Sequence, residues 1–525
     1  MTFIPMRYLI LFLFLLLSAC GAATATPPPA GSTPTVPRVT GQPAGPTASP
    51  SAPAAMASQP AATLQPGSES FAADLRPEFK NDISLVPGAS TYRMSMQLSP
   101  ALDSVTGSES VTFTNRTGSP LNEVYFRLFA NYPETGGRIQ VSGLRVDGAS
   151  AQPVLEVQDT ALKVPLAAPL AADRQVRLDL DFAITVPIST TGHYADFTNT
   201  DGILTLPTVY PLIPAHDAKG WHIELPPDYG DLVYSDSSFY DVTITAPLTT
   251  TVIASGSAVD TRENGSLKTW HYLAGPMRDF NIDASALFKR ASTQLEDIQI
   301  NSYFLAQDET VGQNVLRWAT DSIAEYQKRI GPYPFKEFSA VETPTRAGGI
   351  EYPGVIVLPK QIYAQSRQSQ TLEFNVAHEV GHQWWYSVVG DDQVNTPWMD
   401  EALTQYTAYI YEQDLHGSRA GDFVKQQVFQ SRYDTAVKDG RDAPVGLPVS
   451  SYTDVQYSEI VYGKGPLFFD LVRKQMGDEK FFQFLQTYYH QYKYKVATPD
   501  DMLRVMEQVG GASVMPLYNQ WILGK

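Results

Sequence analysis

The sequence predicts a multidomain chain, β then α+β, in which an N-terminal antiparallel β-sandwich domain precedes a mixed domain rich in helices. Two observations predict it. From about Ser84 to about residue 290 apolar side chains recur with period two, as in strands with one buried face, and after Leu287 the period becomes that of amphipathic helices. Length adds a third: 525 residues, 43% of them hydrophobic, can bury more than one core.

In chain order, the first element is a leader. Arg7 is followed by the apolar run Tyr8 to Leu17, too short to span a bilayer comfortably and suited to an export signal. The run ends Leu17-Ser18-Ala19-Cys20-Gly21, which resembles the bacterial lipoprotein box. That resemblance implies removal of residues 1–20, lipidation of Cys20 and an extracytoplasmic protein held to the cell membrane by its lipid. Cys20 is the only cysteine, so an exported chain has no disulfide to form and the thiol is better explained by acylation. Residues 21–83 are expected to be a disordered tether. Its Pro, Ala, Thr, Ser and Gly lack the apolar spacing that offsets ordering entropy.

The β domain is expected over 84–290. Tyr92, Met94, Met96 and Leu98 alternate with polar residues, as do Val176, Leu178, Leu180, Phe182, Ile184 and Val186, and Thr106-Gly107, Gly136-Gly137 and Asn264-Gly265 supply turns. The second domain is expected over 291–525. Val315, Leu316, Ala319, Ile323 and Tyr326 form a helical stripe that Gly331-Pro332 ends, and further helices are expected near Asp400, across Asp422 to Tyr433 and from Gly465 to Trp521. Strands are expected at Phe338 to Glu342 and Gly354 to Leu358.

The stretch with chemistry is His378-Glu379-Val380-Gly381-His382. On a helix, positions i and i+4 share a face, so two imidazoles can aim at one tetrahedral zinc ion. Residues 383–400 leave room for a turn and a second helix that returns Glu401 as third ligand. One coordination position stays open, as hydrolytic zinc sites require. Glu379, on the same helix, is placed to take a proton from the attacking water as general base. Trp384, Trp385 and Tyr386 read as core packing, and His216, His222, His271 and His490 lack a ligand-spaced partner.

Three further motifs give the chain a resemblance to the aminopeptidase N family of zinc metallopeptidases, peptidase family M1, from about Thr91 to Trp521. Ala347-Gly348-Gly349-Ile350-Glu351-Tyr352 stands where that family has Gly-x-Met-Glu-Asn, with Ile350 for methionine and Tyr352 for asparagine. Trp398-Met399-Asp400-Glu401-Ala402 is similar to its Trp-Leu-Asn-Glu-Gly, and Tyr462-Gly463-Lys464-Gly465 to its Tyr-x-Lys-Gly. Pro276 to Phe280 also resembles part of its N-terminal domain. The resemblance implies a thermolysin-like zinc catalytic domain with one Zn2+ per chain. It implies Tyr462 as stabiliser of the oxyanion and Glu351 as the partner of a substrate's α-ammonium, with Gly348 and Gly349 letting the strand approach substrate. Residues 402–525 are too few for the large C-terminal helical domain of longer relatives, whose absence is expected.

These readings imply an exported zinc aminopeptidase acting on the N-terminal bond of oligopeptides. An endopeptidase on the same site and a non-catalytic peptide-binding surface lipoprotein are the alternatives. The formal charge of −17 argues against nucleic acid as a partner. Oligomeric state, side-chain preference and the membrane that carries the anchor are not written in the sequence.

Overall fold

Alternation builds the first half as expected. In Thr91–Leu98 the side chains of Tyr92, Met94, Met96 and Leu98 are buried and those of Arg93, Ser95 and Gln97 exposed. The computed structural model describes residues 68–525, apart from 134, 189–196, 366–369 and 512. The signal segment and Cys20 lie outside the described residues.

Thr91–Leu98 sits inside an eight-stranded sheet. In order the strands are Ser257–Asn264, Leu267–Met277, Ser238–Pro247, Thr91–Leu98, Ser104–Thr114, Gln175–Thr185, Arg138–Val146 and Ala149–Ser150. The antiparallel expectation holds for every pair but one. Thr91–Leu98 runs parallel to Ser238–Pro247, with Tyr92 beside Tyr240. Residues 99–237 intervene, so no hairpin constrains the direction of that pair. A four-stranded sheet (Thr251–Ala254, Asn281–Ser285, Ile203–Pro207, Thr198–Thr200) and a three-stranded one (Leu121–Arg127, Ala161–Leu170, Val154–Glu156) complete the β half, with a short hairpin at His216–Trp221.

The tether reading of 21–83 fails at its C-terminal end. Ser68–Ala73 and Pro77–Leu85 are turns of 3-10 helix, and Phe71, Leu75 and Ile83 are buried. The physical reason is spacing: Phe71, Leu75, Phe79 and Ile83 recur every four residues, a stripe absent from the Pro- and Ala-rich tract before them. The segment straps the halves together. Phe71 stacks on Phe239 with ring centroids 4.9 Å apart, while Leu75 bridges to Phe335 and Arg76 donates to the Tyr333 carbonyl at 2.9 Å and to Gln327 at 2.8 Å.

The expected boundary between 290 and 291 falls inside a strand. Phe288–Leu295 pairs with Ile298–Leu305, and this hairpin opens the sheet of the second half, so Phe288 already belongs to it. Glu337–Thr343 and Val355–Pro359 extend that sheet in parallel. Around it lie α1 (Glu309–Arg329), α2 (Gln370–Gly381), α3 (Glu401–His416), α4 (Gly465–Met476), α5 (Asp478–Tyr492) and α6 (Pro499–Gly510). Helix α1 buries Val315, Ala319, Ile323 and Tyr326 in one stripe, and the Tyr326 hydroxyl donates to the Ala377 carbonyl of α2 at 2.7 Å. Among the described residues no helix is long and apolar enough to cross a membrane.

Arg278 joins the halves beneath the site. Its buried guanidinium donates to the carbonyls of Ser235 (3.1 Å), Tyr386 (2.6 Å) and Lys495, one from the β half and two from the helical half. Gly390 makes the approach possible, because a Cβ there would lie 2.0 Å from the guanidinium carbon. For the strap, Leu75→Ala is expected to lower stability by about 2–4 kcal/mol in denaturant unfolding, the cost of a buried leucine deletion. An exposed tether would show no change.

Candidate metal centre and active site

Helix α2 is held by an apolar face made of Leu372, Val376, Ala377 and Val380, which presses His378 and Glu379 into the protein. The helix ends at Gly381, where a Cβ would meet Thr404 of α3 at 2.9 Å, so α2 and α3 approach closely only because this residue is glycine. His382 is one residue past the last regular turn. Its N–H still donates to the His378 carbonyl at 3.3 Å, and the i, i+4 relation survives. Glu401 is the first residue of α3.

The three expected ligands converge. His378 Nε2 lies 3.1 Å from His382 Nε2 and 3.1 Å from Glu401 Oε2, and His382 Nε2 is 3.4 Å from Glu401 Oε2. Bonds of ~2.0–2.1 Å at tetrahedral angles place ligand atoms about 3.3–3.4 Å apart, so the triangle has the edge lengths of three corners of a zinc site. All three side chains are buried, and Glu401 Oε2 and His378 Nδ1 have no hydrogen-bond partner. A buried carboxylate oxygen aimed at two imidazole nitrogens is what a cation at their centre satisfies.

A second layer fixes the first. Asp400 accepts from His382 Nδ1, which leaves Nε2 for the metal, while the Trp385 carbonyl at 3.1 Å and Thr404 Oγ1 at 3.3 Å crowd the same nitrogen. Gln393 spends its amide on two carboxylates, donating to Asp400 Oδ2 and, at 3.1 Å, to Glu351 Oε1. Glu351, His382 and Asp400 also come within 4.8 Å of one another. The Gln393 and His382 hydrogens already occupy those carboxylates, so this trio orients rather than ligates.

The electrostatics are those of an acidic centre in a dry place. Burial pushes the Glu351 carboxyl up to about 8, with Asp400 and Glu401 adding to the rise and His382 opposing it. Burial also pushes Glu379 well above the usual range. Against burial, His382 and His378 hold Glu401 well below it, and the carboxylates of Asp400, Glu351 and Glu401 raise His382 although burial opposes this. So many carboxylates in one pocket call for positive charge from metal and substrate.

The remaining sequence-derived residues gather here too. The Tyr462 hydroxyl donates to Glu401 Oε1, and its ring lies 6.0 Å from that of His378. Gly349 lies against the proposed base: a Cβ there would sit 2.3 Å from Glu379 Oε1, so what fills the space beside this glycine is Glu379 itself. The Gly348 carbonyl accepts from Asn375 of α2 at 3.1 Å. Glu351 opens on a cavity whose walls include Phe129, Leu232, Tyr352 and Tyr386. Trp384 and Trp385 are buried as expected, their indole N–H groups on the Gly331 carbonyl (2.8 Å) and Thr407 Oγ1 (2.9 Å). Tyr386 is buried too; its φ of 143° turns it out of the helical path, and it also borders the cavity with its hydroxyl on Asp279.

Sequence reasoning passed over Gln393, Asp231 and Arg432. Asp231 comes from an irregular loop of the β half and faces Glu351 and Glu401 across the cavity, and Arg432 lies beside Tyr462 and His378. None carries a local motif, since each is brought in by tertiary packing.

With this geometry in hand, residues 316–521 match the model described as the peptidase family M1 domain. That matched span holds His378, Glu379, His382, Glu401 and Tyr462. Aminopeptidase M1-B of Oryza sativa subsp. japonica is 22% identical over 296 residues, 54% of this chain and 34% of that protein. Tricorn protease-interacting factor F2 of Thermoplasma acidophilum is 22% identical over 244 residues, 45% of this chain and 31% of that protein. The chain thus spans about a third of the length of these curated relatives. Among solved structures, an M1 zinc metallopeptidase from Deinococcus radiodurans superposes with a TM-score of 0.60 at 18% identity, covering 83% of this chain and 93% of that one. A two-domain M1 zinc metallopeptidase mutant bound to L-tryptophan superposes at 0.61 with 19% identity, covering 83% and 94%. The fold is the two-domain M1 metallopeptidase fold, and the triangle of His378, His382 and Glu401 has the donor set and edge lengths that suit a zinc ion.

Two measurements probe the supporting layer. Asp400→Asn is expected to weaken zinc affinity by about 10–100-fold in a competition titration, since it removes the acceptor that orients His382. Gly349→Ala is expected to leave zinc content at one per chain and to lower kcat, because the new methyl group displaces the Glu379 carboxyl.

Proposed function

We propose that this chain is a zinc-dependent aminopeptidase that hydrolyses the N-terminal peptide bond of oligopeptides, and that it works outside the cytoplasm on a lipid attached at Cys20. The observation that carries the first part is the nearness of Glu351 to the metal residues, its ligand-capable oxygen within 4.8 Å of those of His382 and Asp400. An ammonium group seated on Glu351 leaves room for a single residue before the metal, so cleavage releases one residue. Support for the anchor is the segment Leu17 to Gly21 and the lone cysteine.

His378, His382 and Glu401 would hold the zinc, which when bound supplies a Lewis acid that makes water nucleophilic near pH 7. Glu379 receives a proton from the attacking water on its carboxylate and returns it to the leaving amine. The Tyr462 hydroxyl, released from Glu401, donates to the oxygen on which negative charge builds, a contact worth about 3 kcal/mol in such sites. Glu351 binds the ammonium as a carboxylate, since a cation against it offsets the burial that otherwise favours its neutral form. Gln393 keeps that carboxylate aimed. Gly348 and Gly349 keep the edge of the strand low for the peptide backbone to lie along.

Glu379→Gln is expected to retain one zinc per chain by elemental analysis and to lose hydrolysis by about 10²–10⁴-fold. A binder that holds peptides without cutting them would be unchanged. N-acetylation of a peptide is expected to lower kcat/KM by at least about 100-fold through loss of the Glu351 ion pair. Equal turnover of free and acetylated peptides would favour an endopeptidase.

A further inference from the structure

The site has an unspent cation beside Tyr462. Arg432 lies in the helix Ser431–Lys438, half-buried, and among the described residues its guanidinium makes no hydrogen bond and no ion pair. The loop that carries Tyr462 presses on it: Gly463 has no side chain, and a Cβ there would lie 2.8 Å from the Arg432 Cβ. Burial weakens the guanidinium's hold on its proton, the Tyr462 side chain partly restores it, and the charge in turn lowers the proton affinity of His378. Five N–H donors are thus kept partly out of water beside the oxyanion tyrosine with nothing to bind.

The charges around it give that cation a direction. Glu351, Glu379, Asp400, Glu401 and the loop residue Asp231 make the rest of the site strongly acidic. That field attracts a substrate's ammonium group and repels its carboxylate, unless the carboxylate reaches an arginine. We propose that Arg432 receives the C-terminal carboxylate of short peptides, so that the site holds zwitterionic di- and tripeptides at both ends. This rests on the aminopeptidase reading. An extended chain advances ~3.3–3.6 Å per residue, so the carboxylate of a longer peptide runs past Arg432 and loses the contact. Guanidinium and carboxylate match as a bidentate pair, which an amidated end cannot form.

The test uses the zinc-loaded full chain with Tyr-Ser-Ala and its C-terminal amide. The wild type is expected to favour the free acid by about 10–100-fold in kcat/KM, through KM more than kcat, as a charge-assisted contact allows. Arg432→Gln is expected to bring the acid-to-amide ratio near one, and Arg432→Lys to restore part of it. A wild-type ratio near one overturns the proposal, and so does a ratio that survives Arg432→Gln, even if both rates fall through a structural effect. Identity of the first product separates the two readings: free tyrosine supports the aminopeptidase, whereas the acid-to-amide ratio reports on Arg432 alone. If neither peptide is cut, calorimetry on the zinc-loaded Glu379→Gln chain decides. Tighter binding of the acid, abolished by adding Arg432→Gln, upholds the proposal, and equal or undetectable binding of the two overturns it.

Discussion

The structure depends on gathering carboxylates where water is scarce. Glu351, Glu379, Asp400 and Glu401 are buried around two imidazoles, and taking each such charge from water costs several kcal/mol unless it is matched. Hydrogen bonds cover part of this: Gln393 serves Glu351 and Asp400, His382 also serves Asp400, and Tyr462 serves Glu401. The rest of the charge is left for a metal cation at the triangle and a substrate cation at Glu351. The chemistry proposed for the site follows from that remaining demand, since carboxylates gathered in a dry pocket are the groups that bind a cation and accept a proton.

Rigidity of the metal centre comes from the helical half. Helix α2 is gripped by α1 through the Tyr326 hydroxyl and by α3 through the close contact at Gly381, so the ligands sit on packed helices rather than on loops. The cavity, in contrast, is composite. Phe129 and Leu232 come from the β half, Tyr352 and Tyr386 from the helical half, and Arg278 ties Tyr386 to Ser235 across the seam. The strap at residues 71–76 spans the same two halves from the other end of the described chain. Substrate preference therefore depends on a junction, while the metal centre depends on one domain.

Much of this was legible in the order of residues. The period-two strands and the stripe of α1 appear where their spacing puts them, because burial of one face is a local demand repeated along the chain. His378, His382 and Glu401 were legible for a similar reason, since one helical turn and one helix start define their relation. The strap was missed because a compositional reading of the proline-rich tract ran on into Phe71, Leu75, Phe79 and Ile83, whose four-residue spacing already differed. The parallel pairing of Thr91–Leu98 with Ser238–Pro247 had no local signal, because strand direction is set by the path of the residues between.

The sequence by itself determined the pairing of His378 with His382, the place of Glu379 between them and the helices that carry them, because residue type and i, i+4 spacing are properties of a short stretch. Only the tertiary structure decided that Gln393 bridges Glu351 to Asp400, that Gly349 lies against Glu379, that the buried Tyr386 borders the cavity, and that Arg432, among the described residues, stands unpaired beside Tyr462. Those relations join residues tens to hundreds of positions apart. They exist only once the sheets and helices have packed, when distance through space replaces distance along the chain.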